Sequence, residues 1–222
     1  MNWRQLAKPY QLPPQGEWSE WVMSGGRGAG KTRTGVEWLI EEALSLPGET
    51  LAIIAPTLDE TRIIDFHGIA GLLSNVPYVA VERYRKSALT LELTNGARIV
   101  GLSADRPEEW RGRVFARVLC EERQAWPVRA DEDDSQAVFE AQQRLDEQVL
   151  NLLRVPGAKR MVTMTPVPTT LCHSLLASKP GRVITTATTF DNVEHLNPQF
   201  VAKAAELFGE GGPQLTGALP TS

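Results

Sequence analysis

At 222 residues with 42% apolar side chains, the chain is long enough to bury a full core and sits at the upper end for a single domain. A formal net charge of −4 excludes a free-standing nucleic-acid binder of the usual strongly basic kind, so any contact with a polyanion has to be local or come through assembly. The two cysteines, Cys120 and Cys172, have neither CxxC spacing nor a histidine cluster beside them, which argues against a disulfide framework or zinc site and fits a reducing cytosol. No apolar run approaches the roughly 20 residues of a membrane span, and residues 1–10 lack the apolar core of a signal peptide.

Residues 1–17 carry Pro9, Pro13, Pro14 and Gly16, which rule out a continuous helix and predict an extended lead-in. A short strand is expected at 19–23, then a glycine-rich turn at 24–32. A helix follows over 33–46, with Val36, Leu39, Ile40 and Ala43 at helical spacing, and Pro47-Gly48 ends it. Leu51-Ala-Ile-Ile-Ala55 is a continuous apolar run of the kind buried on both faces of a parallel sheet, which makes strand, helix and strand a βαβ unit. After a mixed region to about residue 81, residues 88–103 alternate around Asn95-Gly96 and predict an inserted antiparallel hairpin. Arg83-Tyr84-Arg85-Lys86 reads as a solvated turn before it, or as a local contact for a DNA backbone. Strands are predicted at 117–120, 160–164 and 182–186, and helices at 135–154 and 198–208. The acidic run at 131–134 reads as charge capping the helix that follows it. Residues 209–222 read as a linker or frayed tail after a domain spanning 1–208.

Gly25-Gly26-Arg27-Gly28-Ala29-Gly30-Lys31-Thr32 fits G-x-x-x-x-G-K-[ST] and lies between a predicted strand and a predicted helix, the context that gives this motif its meaning. Its backbone N–H groups and the positive end of the helix cradle the phosphates of ATP. Lys31 reaches the β- and γ-phosphates, and the Thr32 hydroxyl goes to Mg²⁺. Such a loop needs a carboxylate partner at the end of a second buried strand, and Val118-Leu119-Cys120-Glu121-Glu122 supplies one. Glu121 is the expected magnesium-side acid, one methylene longer than the usual Asp. Glu122 is expected to activate the attacking water. The fold class that follows is a three-layer α/β P-loop NTPase, RecA-like, with a mostly parallel sheet and a hairpin insertion. Trp18, Trp21 and Trp38 are expected in the core, with residues 15–18 also open to bordering the adenine. His67, His173 and His195 share no spacing and are expected at the surface.

Together with those motifs, several segments resemble the large subunit of phage and gene-transfer-agent terminases. They are Leu12-Pro-Pro-Gln-Gly-Glu-Trp18, Ala55-Pro-Thr57, Asn95-Gly96 with Ser103-Ala-Asp105, and Trp110-Arg-Gly112. To these are added Glu121-Glu122 with Ala125-Trp126, Val162-Thr-Met-Thr-Pro166, and Pro168-Thr169. The resemblance implies an ATPase that drives double-stranded DNA into a capsid as one subunit of a ring. Its partners would be sibling subunits, a portal protein and a small terminase subunit, in the host cytoplasm at the portal vertex. It implies that Thr163 and Thr165 form a coupling motif that senses the γ-phosphate, and that Arg27 contacts the γ-phosphate in its own site. Arg111 is either an arginine finger reaching a neighbour's ATP or a surface arginine among Arg106, Arg113 and Arg117. The family adds a nuclease domain beyond this point, and none is expected in this chain. A silent nucleotide-binding packaging domain and a helicase-like P-loop ATPase are the alternatives.

Overall fold

The computed structural model describes residues 3–130 and 135–219; the acidic run at 131–134 lies outside them. Among the described residues, eight strands form one sheet: β1 Glu20–Gly25, β2 Thr50–Ala55, β3 Val81–Arg85, β4 Thr90–Leu93, β5 Arg98–Ser103, β6 Arg117–Cys120, β7 Lys159–Met164 and β8 Arg182–Ala187. Their order is β3-β4-β5-β2-β6-β7-β1-β8. From β5 to β8 every neighbouring pair is parallel, and only β3 with β4 and β4 with β5 run antiparallel.

The sheet is covered on both faces, and strand alternation decides which residues serve which side. Trp21, Met23, Leu51, Ile53, Leu119 and Met161 face one layer, where helix α1 (Lys31–Ser45) contributes Val36, Trp38, Leu39 and Ile40. Val22, Ala52, Ile54, Val118, Cys120 and Val162 face the other, against Leu145, Val149 and Leu152 of helix α2 (Ser135–Leu152) and Leu171 and Leu175 of helix α3 (Thr170–Leu176). This is the three-layer α/β arrangement expected from continuous apolar strands, which have no polar face to leave in water. Helix α4 (Pro198–Phe208) follows β8. No helix of the described residues is long and apolar enough to cross a membrane, and both cysteines are buried free thiols.

One expectation is refined and another changes. The hairpin forms as expected from β4 and β5 around Asn95-Gly96, and it is joined to the main sheet because β5 also pairs in parallel with β2 from Thr50↔Arg98 to Ala55↔Ser103. Ile99, Val100 and Leu102 are all buried, so both faces of β5 are needed in the core. Arg83-Tyr84-Arg85 is not a turn but lies within the edge strand β3, in register with Thr90, Leu91 and Glu92. Tyr84 explains it: its ring stacks on buried Phe66 at 5.7 Å, and Arg85 pairs with Glu92 at 2.9 Å on the outer side.

Gly35 sets how closely α1 approaches the sheet. A Cβ there would stand 2.7 Å from Leu119 Cδ1 on β6. Replacing Gly35 by Ala gains helix propensity of about 1 kcal/mol but overpacks the contact by about 1–3 kcal/mol. Gly35→Ala should therefore lower stability in urea denaturation, and in a Leu119→Ala background the same change should become neutral or stabilising.

Candidate active site

The carboxyl ends of β1, β6 and β7 converge because β7 lies between the other two. From β1 the chain turns through the glycine-rich loop into α1. Gly28 and Gly30 take φ of +79° and +85°, the left-handed region that glycine adopts without strain. Lys31 is buried, and its Nζ donates to the carbonyls of Gly25 and Gly26 at 3.2 Å each and pairs with Glu122 at 3.2 Å. The Thr32 hydroxyl donates to Glu121 Oε1. The loop and the predicted carboxylate pair therefore form one site.

Glu121 and Glu122 sit where β6 ends, and a turn of unusual conformation aims them. Glu122 has φ 45° and ψ 53°, left-handed for a non-glycine residue, a conformation that costs of order 1 kcal/mol or more and persists only when neighbours enforce it. Here they do. Its N–H donates to Thr163 Oγ1 at 2.9 Å, and Trp126 Nε1 holds the Glu121 carbonyl at 2.9 Å. The Thr163 hydroxyl donates in turn to Glu121 Oε2 at 2.6 Å, while the Thr165 hydroxyl donates to Glu122 Oε2 at 3.0 Å. The two threonines at the end of β7 thus grip one carboxylate each.

Their electrostatics diverge. Burial, then the charge of Glu122, push the Glu121 carboxyl up to about 7 against the hydrogen bonds from Thr163 and Thr32. Burial also opposes ionisation of Glu122, but the Lys31 ammonium and hydrogen bonds from Gln124 and Thr165 outweigh it and hold that carboxyl below its ordinary range. Glu122 is the ionised member and Glu121 the one that gains most from an added cation. The Thr32 hydroxyl and Glu121 carboxylate form an oxygen pair of the kind that hard cations take.

A cavity of about 910 Å³ opens onto these groups, and Arg27, Lys31, Thr32, Glu121, Glu122 and Thr165 line it. The Arg27 guanidinium lies 4.9 Å from the centre of the Phe208 ring on α4. Arg111 is elsewhere: exposed, just after the 3-10 turn Pro107–Trp110, it lines a separate cleft with Arg113, Arg129 and Arg154. The structure thus does not bring it to the site of its own chain. Trp18 packs in the core at 6.3 Å from both Trp21 and Trp38, before the start of β1 and a strand's length from the loop, so residues 15–18 do not border it. All three histidines are exposed.

Four features of the site escape the sequence reading. Gln11 is buried with its amide nitrogen against Gly30, and Tyr10 donates to the Ala29 carbonyl at 3.4 Å. Arg123 is fully buried, 4.7 Å from the centre of the Trp126 ring, and donates to the Gln142 carbonyl at 2.8 Å, tying the carboxylate turn to α2. Asp65 lines the cavity from the segment after β2. The tail expected to fray instead returns to the loop. The Arg27 N–H donates to Gln214 O at 2.7 Å and the Ser24 hydroxyl to Gly217 O at 2.6 Å, with Leu215 fully buried. From the residues before α4, Thr189 and Asn192 donate to the carbonyls of Arg27 and Gly28 at 2.7 Å each. Leu215 and Leu219 hint at this docking in the sequence, as large apolar residues among glycine and proline.

Thr163→Val keeps the β-branched shape but removes the hydroxyl that serves both glutamates. With the Glu122 N–H left unpaired, the variant should lose about 1–3 kcal/mol of stability, measured by thermal unfolding.

Among solved structures, the chain is similar to the Thermus phage P74-26 large terminase ATPase domain, with a TM-score of 0.64 at 18% identity over 93% of this chain and 90% of that one. It is also similar to the large terminase of a thermophilic bacteriophage, with a TM-score of 0.69 at 15% identity over 97% of this chain and 51% of that one. A complex of the latter with ATP-gamma-S gives 0.62 at 15% identity over 94% and 48%. The chain spans about half the length of these full large terminases, and at such identities the likeness establishes the fold. No curated protein matches the sequence. The family model described as "Terminase large subunit, T4likevirus-type, N-terminal" matches residues 22–147, more than half of the chain, and the chain therefore belongs to the terminase large subunit family.

Proposed function

We propose that the chain hydrolyses ATP with Mg²⁺ and couples that hydrolysis to translocation of double-stranded DNA into a capsid. The observation that carries the reading is the convergence of Lys31, Thr32, Glu121 and Glu122 on one cavity, with Glu122 paired to Lys31 at 3.2 Å and Glu121 hydrogen-bonded to Thr32. The loop amides and Lys31 bind the phosphates, the ammonium exchanging its loop carbonyls for β- and γ-phosphate oxygens. Thr32 and Glu121 would hold Mg²⁺, which when bound would neutralise charge developing on the phosphates. Glu122 accepts the proton of a water as that water's oxygen bonds to the γ-phosphorus and the bond to ADP breaks. Thr165 keeps Glu122 aimed, and Thr163, hydrogen-bonded to both glutamates, carries any change in their charge into β7.

The same reading makes the protein one subunit of a ring at the portal vertex in the host cytoplasm, meeting a portal protein and a small terminase subunit. Arg111 fits a role in trans: exposed and in an arginine-lined cleft, it makes no ion pair among the described residues. A guanidinium supplied by a neighbour to the transferring phosphoryl group raises the rate by roughly three to five orders of magnitude.

Steady-state ATPase of the purified protein with Mg²⁺, with and without duplex DNA, tests this. Lys31→Ala and Glu122→Gln should each lower turnover by about 10²-fold or more, with nucleotide still bound by Glu122→Gln. Turnover per subunit should rise steeply with protein concentration as neighbours supply Arg111. ATP binding without turnover above the Lys31→Ala background at every concentration would overturn the enzyme reading in favour of a silent packaging domain.

A further inference from the structure

The polar side chains that meet in the site are matched to one another: Lys31 to Glu122, Thr32 and Thr163 to Glu121, Thr165 to Glu122. Asp65 breaks the pattern. It is 0% exposed, and neither carboxylate oxygen has a hydrogen-bond partner among the described residues. A buried carboxyl without a donor is costly, and native structures keep such a group only where something else uses it.

Its position says what. Asp65 belongs to the π-helical segment Thr61–Phe66, a rare winding found frequently at functional sites. The Thr61 hydroxyl donates to Thr57 O at 3.0 Å and Leu102 O at 2.8 Å, and Gly68 N donates to Ile64 O at 3.2 Å, so both ends of the segment are pinned. The segment leaves the carboxyl end of β2, and the two glutamates leave the carboxyl end of β6, the adjacent strand, where Glu121 N donates to Ile54 O at 2.8 Å. Asp65 and Glu121 therefore face one cavity from neighbouring elements, on the side of Thr32. Among the described residues, none of the nearby cations forms a hydrogen bond or ion pair with Asp65. Lys31 is engaged by Glu122 and two carbonyls, Arg62 pairs with Asp59 at 2.9 Å, and Arg27 lies on Phe208. A ligand in the cavity can supply the donors that Asp65 lacks, and a hydrated Mg²⁺ brings several, since this ion retains much of its water shell when bound through one or two protein oxygens and phosphate.

We propose that Asp65 is a positioning residue for the metal, its carboxylate accepting hydrogen bonds from the water shell of the Mg²⁺ held by Thr32 and Glu121. The proposal rests on the nucleotide and magnesium reading above. It adds Asp65, from the segment that follows β2, to the two glutamates that follow β6. An outer-shell carboxylate of this kind fixes the orientation of metal-bound water and typically contributes 10- to 100-fold in metal affinity.

The test uses the full chain, its isosteric variant Asp65→Asn and the apolar variant Asp65→Leu. A fluorescent, non-hydrolysable ATP analogue is titrated in EDTA and then against Mg²⁺, and Mn²⁺ binding in the presence of the analogue is followed by electron paramagnetic resonance. In EDTA the variants should bind the analogue within about twofold of the parent, while the Mg²⁺ and Mn²⁺ concentrations for half-saturation rise about tenfold or more. Their thermal midpoints should equal or exceed the parent's, which separates loss of metal from loss of fold. Unchanged metal half-saturation in Asp65→Asn overturns the proposal, whatever Asp65→Leu does to folding. A parent whose nucleotide binding ignores Mg²⁺ overturns the underlying magnesium reading as well, so the two failures are distinguishable.

Discussion

Two adjacent glutamates at the end of a buried strand repel one another and resist losing their water, and the rest of the site is built around that constraint. Lys31 answers the charge of Glu122 directly at 3.2 Å. The left-handed turn at Glu122 then separates the two side chains, sending one toward Lys31 and the other toward Thr32. β7 completes the arrangement because its position between β1 and β6 puts the Thr163 hydroxyl where it can both accept from one glutamate's backbone and donate to the other's side chain. Strand order, turn conformation and ionisation state are one solution to one electrostatic problem.

The same constraint extends outward through Arg123. A fully buried guanidinium is tolerable only when paired and hydrogen-bonded. Arg123 meets Asp146 at 3.2 Å, Gln142 on the same helix, and the Trp126 ring. Asp146 also accepts from Arg160 at 3.3 Å, and Arg160 and Arg182 both pair with Glu20 at the start of β1. A chain of charges therefore runs from the carboxylate turn, through α2, to the opposite end of the strand that carries the phosphate loop. This gives the moving parts of the site a rigid base.

The sheet and its helices were legible because their signals are local. The apolar run 51–55, short and closed by Pro56, reads as a buried strand, and the glycine-rich loop announces itself by spacing. What the sequence hid depends on partners far along the chain. β3 looks charged because only Tyr84 and Val81 face inward, and its pairing with β4 is tertiary. Asp65 sits in a stretch with no clean period because a π-helical turn has none that an α-helical template detects. The tail at 213–217 is read as a linker from its glycines and prolines, although its anchoring comes from backbone carbonyls, which every residue type supplies equally. Arg111 could be named only from the resemblance, because its exposed place in a separate cleft carries no sign of a role within the chain.

That anchoring gives the chain a mechanical property. Gln214, Leu215 and Gly217 accept hydrogen bonds from Arg27, Thr189 and Ser24, so the segment at 213–217 is fastened directly to the glycine-rich loop and the strand before it. Tension on that segment reaches the glycine-rich loop through the Arg27 hydrogen bond, with the buried Leu215 side chain sharing the load. By thermodynamic reciprocity, a ligand that reshapes the loop alters the segment's grip by as much free energy as pulling on the segment alters the ligand's affinity. The segment is thus at once a tether and a strain gauge for the loop.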